Sequence, residues 1–287
     1  MPPRAPHPSD LSSRTVAECA SAEVAEALIR SFEGYVVPVR FDARSYERRF
    51  RAEDLDPYAS RVFRLGGEPA GVLLVARRGW TARIAAMGLA PELRGRGVGR
   101  RVMGEAAEEA RARGQRALVL EVFERNEPAL ALYESLGFRR VRRLVGYRRS
   151  PAEGGGAPDE PLTEMDPRDV ARAVAREGEP DLPWQLAPET LSAAGAPARA
   201  FTLDGRAFAL VADPAADTLI LSALLVRREH RRQGWGARTL RALCAAFPGR
   251  PWAVPQVVPE GLAARTFEAS GWERQPLEQF EMRLPLT

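Results

Sequence analysis

One short segment of the 287-residue chain concentrates residues suited to binding an anion. It reads Arg94-Gly95-Arg96-Gly97-Val98-Gly99 and lies where an apolar, strand-like run gives way to a helical one. The three glycines strip the backbone of side chains, so its N–H groups can approach a ligand closely. A helix that begins there adds unpaired amides and the positive end of its dipole. Together these suit a pyrophosphate. Arg94, Arg96, Arg100 and Arg101 crowd the same place with charge that can neutralise it. The spacing is neither the Gly-Lys-Ser/Thr of a Walker A loop nor the Gly-x-Gly-x-x-Gly of dinucleotide folds. Lysine is absent from the whole chain, which removes the first outright. Glu121 apart, no acid stands about 20 positions on to take a ribose. A glycine turn that merely joins strand to helix fits the same residues, so the segments around it must decide.

Those segments alternate in type. Ser21 to Phe32 carries Val24, Ala25, Leu28 and Ile29 at helical spacing, with Ser21 as the cap and Glu23 in the first turn. Asp42 to Arg51 opens at another acidic cap. Ser60–Leu65 and Gly71–Ala76 read as antiparallel strands joined at Gly66-Gly67-Glu68, and Thr81–Leu89 as a third strand. Gly97–Arg113 has an apolar stripe through Val98, Val102, Ala106 and Ala110 and stops at Gly114. Ala117–Phe123 is apolar almost throughout, as a strand covered on both faces requires. Pro128–Leu136 is a short helix ended by Gly137. Arg139, Arg140, Arg142 and Arg143 then read as a solvated strand face. The expected product is a mixed sheet with helices on its faces.

The second half runs through a similar order. Val170–Val174 falls on a helix, and Ala200–Leu203 and Ala207–Val211 read as paired strands. Strand Thr218–Val226, helix Ala237–Phe247, strand Trp252–Val258 and short helix Leu262–Ala269 follow. Arg231-Arg232-Gln233-Gly234-Trp235-Gly236 repeats the Arg94–Gly99 loop, and Phe267-Glu268-Ala269-Ser270-Gly271-Trp272 repeats Tyr133–Phe138. One fold used twice is therefore expected. Ser150 to Pro158 is rich in Gly and Pro and reads as a linker. The expected units are residues 1–150 and 163–287, with 151–162 between them. Residues 1–150 hold 27 arginines against 19 acids, and residues 151–287 hold 15 against 19.

Composition narrows the function classes. Apolar residues make up 45% and charged residues 28%, the balance of a globular protein. No stretch approaches the roughly 18 uninterrupted apolar residues of a membrane span. Residues 1–8 lack the apolar core of a signal peptide, so a cytoplasmic address is expected. Cys19 and Cys244 form no disulfide framework, and His7 and His230 are the only histidines, so no metal site is expected. His230 reads as an ordinary surface residue. All 42 basic residues are arginine, and Asn126 is the one asparagine. That pattern looks like high-GC codon bias, so the arginine excess is weak support for a nucleic-acid partner. No aromatic-studded basic strand or recognition helix accompanies it.

Downstream of the loop the residues are specific: Leu120-Glu121-Val122, then Asn126-x-x-Ala129-x-x-Leu132-Tyr133-x-x-x-Gly137-Phe138. With Arg94-x-x-Gly97-x-Gly99 ahead of them, this order resembles the GNAT superfamily of N-acetyltransferases over about Ser21 to Tyr147. The second half resembles a degraded copy, so the chain looks like a tandem GNAT protein. The resemblance implies an α+β (α/β/α) fold, with a mixed, mostly antiparallel sheet that splays centrally into a V, built twice. It implies acetyl-CoA as co-substrate, with the amides of Arg94, Gly95, Arg96, Gly97, Val98 and Gly99, and the charge of Arg100, around the pyrophosphate. Met87, Leu89 and Pro91 would line the pantetheine arm, and Asn126 would contact the cofactor near the splay. Tyr133 would protonate the departing thiolate, and a strand amide near Leu89 would hold the thioester carbonyl attacked by an amine. A tyrosine near its usual pKa of about 10 stays protonated at neutral pH and can do this.

Each implied role has a plainer counterpart. Asn126 is also a good helix cap, and Tyr133 also fits a core position on its short helix. Glu121 is either the base that takes the amine proton or a buried, hydrogen-bonded structural carboxylate. Tyr35 either faces the acceptor or lies on the surface. In the second copy Phe267 replaces Tyr133, Glu260 replaces Asn126 and Trp235 replaces Val98, so no acetyl transfer is expected there. The acceptor is expected to be a small-molecule or peptide amine, and Glu33, Asp42 and Glu47 stand where they could attract a cation. A non-catalytic acyl-CoA-binding or scaffold protein is the competing class, and a homo-oligomer is left open.

Overall fold

A computed structural model describes residues 11–37, 41–151 and 160–287. His7, the N-terminal reading and most of the expected linker lie outside them. Two compact units result: Met1–Val141 with Phe280–Thr287, and Arg142–Gln279.

The first unit begins β1 (Leu11–Thr15), α1 (Ser21–Ser31), α2 (Ala43–Ala52), β2 (Arg61–Leu65) and β3 (Glu68–Arg78). It continues β4 (Thr81–Leu89), α3 (Val98–Ala112), β5 (Ala117–Phe123) and α4 (Glu127–Ser135), and enters β6 (Arg139–Arg149). Strands β1 to β4 pair antiparallel in sequence order. Gly66 and Gly67 make the β2–β3 turn at φ +59° and +93°, which suits the twist of a two-residue hairpin. Asp42 caps α2 by accepting from the Ser45 amide. Helix α1 differs from expectation: its cap is Ala20, with no side-chain bond, and Ser21 is the first helical residue.

Strands β4 and β5 run parallel, but only from Thr81↔Ala117 to Ile84↔Leu120. Beyond that, β4 stays with β3 as far as Leu89, while β5 goes on without it, and the two diverge as a V. A bulge marks the parting, for the β3–β4 register slips so that Ala85 has no partner. The core packs Ile84 and Leu89 of β4, and Leu118, Leu120 and Val122 of β5, with Val102 and Met103 of α3.

The second unit repeats the plan with β7 (Thr163–Met165), α5 (Pro167–Glu177), α6 (Pro188–Ser192), β8 (Arg199–Leu203) and β9 (Ala207–Val211). It continues β10 (Leu219–Val226), α7 (Trp235–Ala246), β11 (Trp252–Pro259), α8 (Ala264–Ala269) and β12 (Glu273–Arg274), before β13 (Gln279–Pro285) closes the order. The parallel β10–β11 ladder is shorter still, Leu219↔Trp252 and Ile220↔Ala253, so this unit also has a splay.

The unit boundaries depart from the expected division near residue 150. From Arg142 onward β6 belongs to the second unit, where it pairs with β11 and β12. Arg142 and Arg143 are accordingly half-buried and paired with Asp181 and Glu278, whereas Arg139 and Arg140 are exposed. The last strand, β13, returns to the first unit beside β5 and buries Met282, Leu284 and Leu286 in its core. Each sheet is thus finished by the strand that the chain order would give to the other.

Deleting residues 280–287 should therefore unfold the first unit, because each lost core side chain costs about 2–5 kcal/mol. Differential scanning calorimetry should show a lowered or missing transition. Unchanged calorimetric behaviour would contradict the assignment of β13 to this core.

Candidate active site

The loop Arg94–Gly99 leads into α3. Gly95 and Gly97 have φ of +69° and +75°, and Gly97 is the helix cap with no side-chain bond to the first amides. Those N–H groups have no side-chain cap, and a Cβ built on either glycine would meet nothing, which marks open space. Gly99 faces inward: a Cβ there would lie 3.3 Å from both Leu132 of α4 and Met87 of β4. The loop is thus pressed between the strand end and α4, close to the mouth of the V. Val98 is buried in the core, and Pro91 is exposed beside the same strand end.

Arginines of the loop divide their duties. Arg94 donates to the carbonyls of Leu89, Ser31 and Glu33, at 2.8, 3.2 and 2.8 Å, and so ties the end of α1 to the end of β4. Arg100 donates to the Ser135 hydroxyl at 2.7 Å. Arg96 is exposed.

Asn126 caps α4 by accepting from the Ala129 amide at 3.3 Å, and the same side chain lies near enough to the Tyr35 hydroxyl to act on its pKa. Tyr35 packs on Phe32 and on Phe123 at the tip of β5, with ring centroids 5.0 and 5.9 Å apart. Tyr35 is therefore half-buried against these rings and is not a free surface residue. Burial raises its pKa, an effect that Asn126 opposes. Tyr133, on α4, is 7% exposed and packs against Phe138. Among the described residues its hydroxyl has no hydrogen-bond partner. Burial pushes it well above the ordinary tyrosine value, and the neighbouring Tyr35 adds to the shift. The structure therefore brings Tyr35, Asn126 and Tyr133 together at the open end of the splay.

Glu121 lies on the face of β5 opposite Leu120 and Val122 and meets Arg83 of β4. Arg83 donates from Nε to both carboxylate oxygens, at 3.1 and 2.9 Å, and pairs through its terminal nitrogen at 2.8 Å. It also reaches Glu53 at 2.6 Å, and Arg49 binds Glu53 at 3.0 Å. Arg49 further donates to the carbonyl of Ala85, the bulge residue, at 2.6 Å. Burial would lower the pKa of Arg83, but Glu121 and Glu53 outweigh it and the pKa is raised. Burial would likewise raise Glu53, yet Arg49 and Arg83 hold it below its ordinary value. Glu121 is committed to this network. Arg83 has no counterpart among the sequence expectations, although an arginine inside an apolar strand was a readable signal.

A cleft of about 730 Å³ opens between α1 and the start of α2, with Ile29, Phe32 and Phe41 among its apolar walls and Glu26, Glu33 and Asp42 at its edges. Asp42 is held below the usual carboxylate range by its bonds to Ser45. Among the described residues no group of His, Cys, Asp and Glu is placed to hold a metal, and no helix is long and apolar enough to cross a membrane.

Residues 22–138 match the family described as "Acetyltransferase (GNAT) family". The chain is 37% identical over 97 residues to a mycothiol acetyltransferase of Thermomonospora curvata, covering 29% of this chain and 33% of that one. It is 39% identical over 95 residues to N-alpha-acetyltransferase RimI of Mycobacterium tuberculosis, covering 31% and 58% respectively. The matches thus span less than two thirds of these relatives. At the level of fold, a GCN5-related N-acetyltransferase from Sphaerobacter thermophilus superposes with a TM-score of 0.71 at 18% identity, covering 97% of this chain and 96% of that one. A tandem GNAT protein from the clavulanic acid biosynthesis pathway gives 0.64 at 16%, covering 96% and 99%. The fold is the GNAT fold, present twice.

Replacing Arg83 with Met leaves Glu53 and Glu121 without their shared partner, at an expected cost of about 3–5 kcal/mol in urea denaturation. A carboxyl with a depressed folded pKa stabilises above its unfolded value, 4.5 for Glu53, and loses that contribution as pH falls through the folded value. The gap between wild type and Arg83→Met should therefore hold down to about pH 4.5 and narrow as the pH falls further below it. A gap that stays constant would sink the assignment of these ion pairs.

Proposed function

We propose that the first unit is an acetyl-CoA-dependent N-acetyltransferase that acts on a primary amine. The observation that carries this reading is Tyr133, a largely buried tyrosine whose hydroxyl makes no hydrogen bond among the described residues, beside a strand splay and an uncapped glycine loop. The loop amides from Arg94 to Gly99 take the pyrophosphate, with Arg96 adding charge at the surface. Met87, Leu89 and Pro91 line the arm that runs from the loop into the V. Unpaired backbone groups at the splayed ends of β4 and β5 supply hydrogen bonds to its amides. A β4 amide near Leu89 polarises the thioester carbonyl for direct attack by the amine.

Tyr133 then gives its proton to the thiolate as the C–S bond breaks. Its raised pKa keeps that proton in place at neutral pH, so the acid is present when the thiolate departs. Asn126 lies beside Tyr35, and the pair closes the reacting end of the splay. Glu121 has both oxygens on Arg83, so the amine loses its proton to water or arrives neutral. The acid-edged cleft between α1 and α2 suits an acceptor that carries positive charge, a small molecule or a peptide end.

Tyr133→Phe should lower kcat by about 10²- to 10⁴-fold while the Kd for acetyl-CoA changes little, measured by CoA release over a panel of amines and by calorimetry. Because burial raises Tyr133 above the ordinary value of 10.0, wild-type kcat should show no loss of the acid below about pH 10. Turnover of Tyr133→Phe at the wild-type rate would refute the assignment. Gly97→Ala, which forces a side chain into φ +75°, should instead raise the KM for acetyl-CoA with a smaller effect on kcat.

A further inference from the structure

Helix α2 and its C-terminal cap carry charge on the face that turns toward the sheet. Helical spacing puts Tyr46, Arg49, Phe50 and Glu53 on one side, where Tyr46 is buried and the other three are half-buried. Arginine and glutamate are costly in such places unless paired. Arg49 has three partners. Its Nε donates to Glu53, four residues on, at 3.0 Å, and a terminal nitrogen donates to the Ala85 carbonyl at 2.6 Å. The guanidinium also lies over the Phe41 ring, 5.7 Å from its centroid, within reach of a cation–π attraction.

Those partners belong to two different places. Phe41 is a wall of the cleft between α1 and α2. Ala85 is the bulge residue of β4, skipped by the β3 register just beyond the last pair that β4 makes with β5. The β3 ladder does not fix Ala85, so the direction that residues 86–89 take into the open arm of the V depends on what holds its carbonyl. One side chain therefore touches both the cleft wall and the point at which β4 leaves β5.

The rest of α2 supports the same link. Its C-terminal end is held from two more sides, by Arg83, which reaches Glu53 at 2.6 Å, and by Arg78, which donates to the Ala52 carbonyl at 3.2 Å. At the other end Asp42 and Ala43 line the cleft. The helix has one end clamped to the sheet and the other at the cleft, and Arg49 reaches both.

We propose that Arg49 is a positioning residue that ties the Phe41 wall to the β4 arm, so that the amide near Leu89 is aligned on the thioester when an acceptor fills the cleft. This role rests on the reading of the first unit as an N-acetyltransferase, whereas the link from Phe41 through Arg49 to β4 stands on the contacts themselves. Hydrogen exchange read by mass spectrometry on the full chain follows the link without any substrate. Phe41→Ala should speed exchange of residues 86–89 about two- to fivefold, the loss of one cation–π contact. Arg49→Met should speed it about tenfold, and adding Phe41→Ala to Arg49→Met should change it no further. Arg51→Met, an exposed change on the same helix, should have no effect. With any amine that the wild type acetylates, Arg49→Met should lower kcat about 10²-fold and leave the Kd for acetyl-CoA within about twofold, a split that general loosening of the fold would not give. Unchanged exchange in Phe41→Ala, additive effects of the two substitutions, or wild-type kcat in Arg49→Met would each overturn the proposal. A wild type that acetylates none of a panel of amines would instead refute the catalytic reading, and exchange in Phe41→Ala would still decide the link.

Discussion

A parallel pair of strands that stops pairing in the middle of a sheet leaves backbone amides and carbonyls without partners on both sides of a gap, and everything else in the first unit is arranged around that gap. Unpaired backbone groups away from water are costly, so a splay persists only where something else satisfies them or holds the strands apart. Here the bulge at Ala85 turns β4 away just beyond Ile84 and Leu120. Arg49 takes the bulge carbonyl, and Arg83 bridges from β4 to Glu121 on β5 where the ladder ends. The sheet thus exchanges backbone hydrogen bonds for a buried ion network at the apex of the V and leaves its open end to a ligand.

That network explains why a strand with apolar neighbours tolerates Arg83. Two arginines and two glutamates neutralise one another, and the planar guanidinium serves two carboxylates at once, which a lysine could not do with the same geometry. It also removes Glu121 from the list of free bases. Chemistry and architecture compete for the same carboxylate, and architecture holds both of its oxygens.

The two units show which parts of the design are separable. In both, a short parallel ladder opens into a splay, a residue with positive φ precedes a glycine cap, and an arginine ties the first helix of the unit to the strand end. What differs is the reacting end, where Tyr35, Asn126 and Tyr133 converge in one unit while Phe267 and an ion-paired Glu260 stand in the other. The loop and the residues at the end of the splay lie on different segments, so one can change while the other's geometry remains.

Local order was largely legible from residue patterns. Helical stripes, the Gly66-Gly67 hairpin, the apolar β5 and the loop into α3 depend on neighbours within a few positions, and periodicity and turn chemistry report such neighbours directly. The internal repeat was legible for the same reason. Long-range choices were not. Whether Glu121 is free or paired depends on Arg83, 38 residues away, and whether Tyr35 is a free surface residue depends on Phe32 and Phe123. Nor could chain order reveal that residues 280–287 complete the first sheet, because strand pairing is decided by which edge is open, and sequence distance does not carry that information. Residue types and spacing by themselves determined the fold class, the duplication and the anion loop, since these rest on local backbone conformation. Only the tertiary structure decided which charged groups are spent on one another and which strand closes which sheet, since those outcomes depend on burial and on partners the chain brings together from afar.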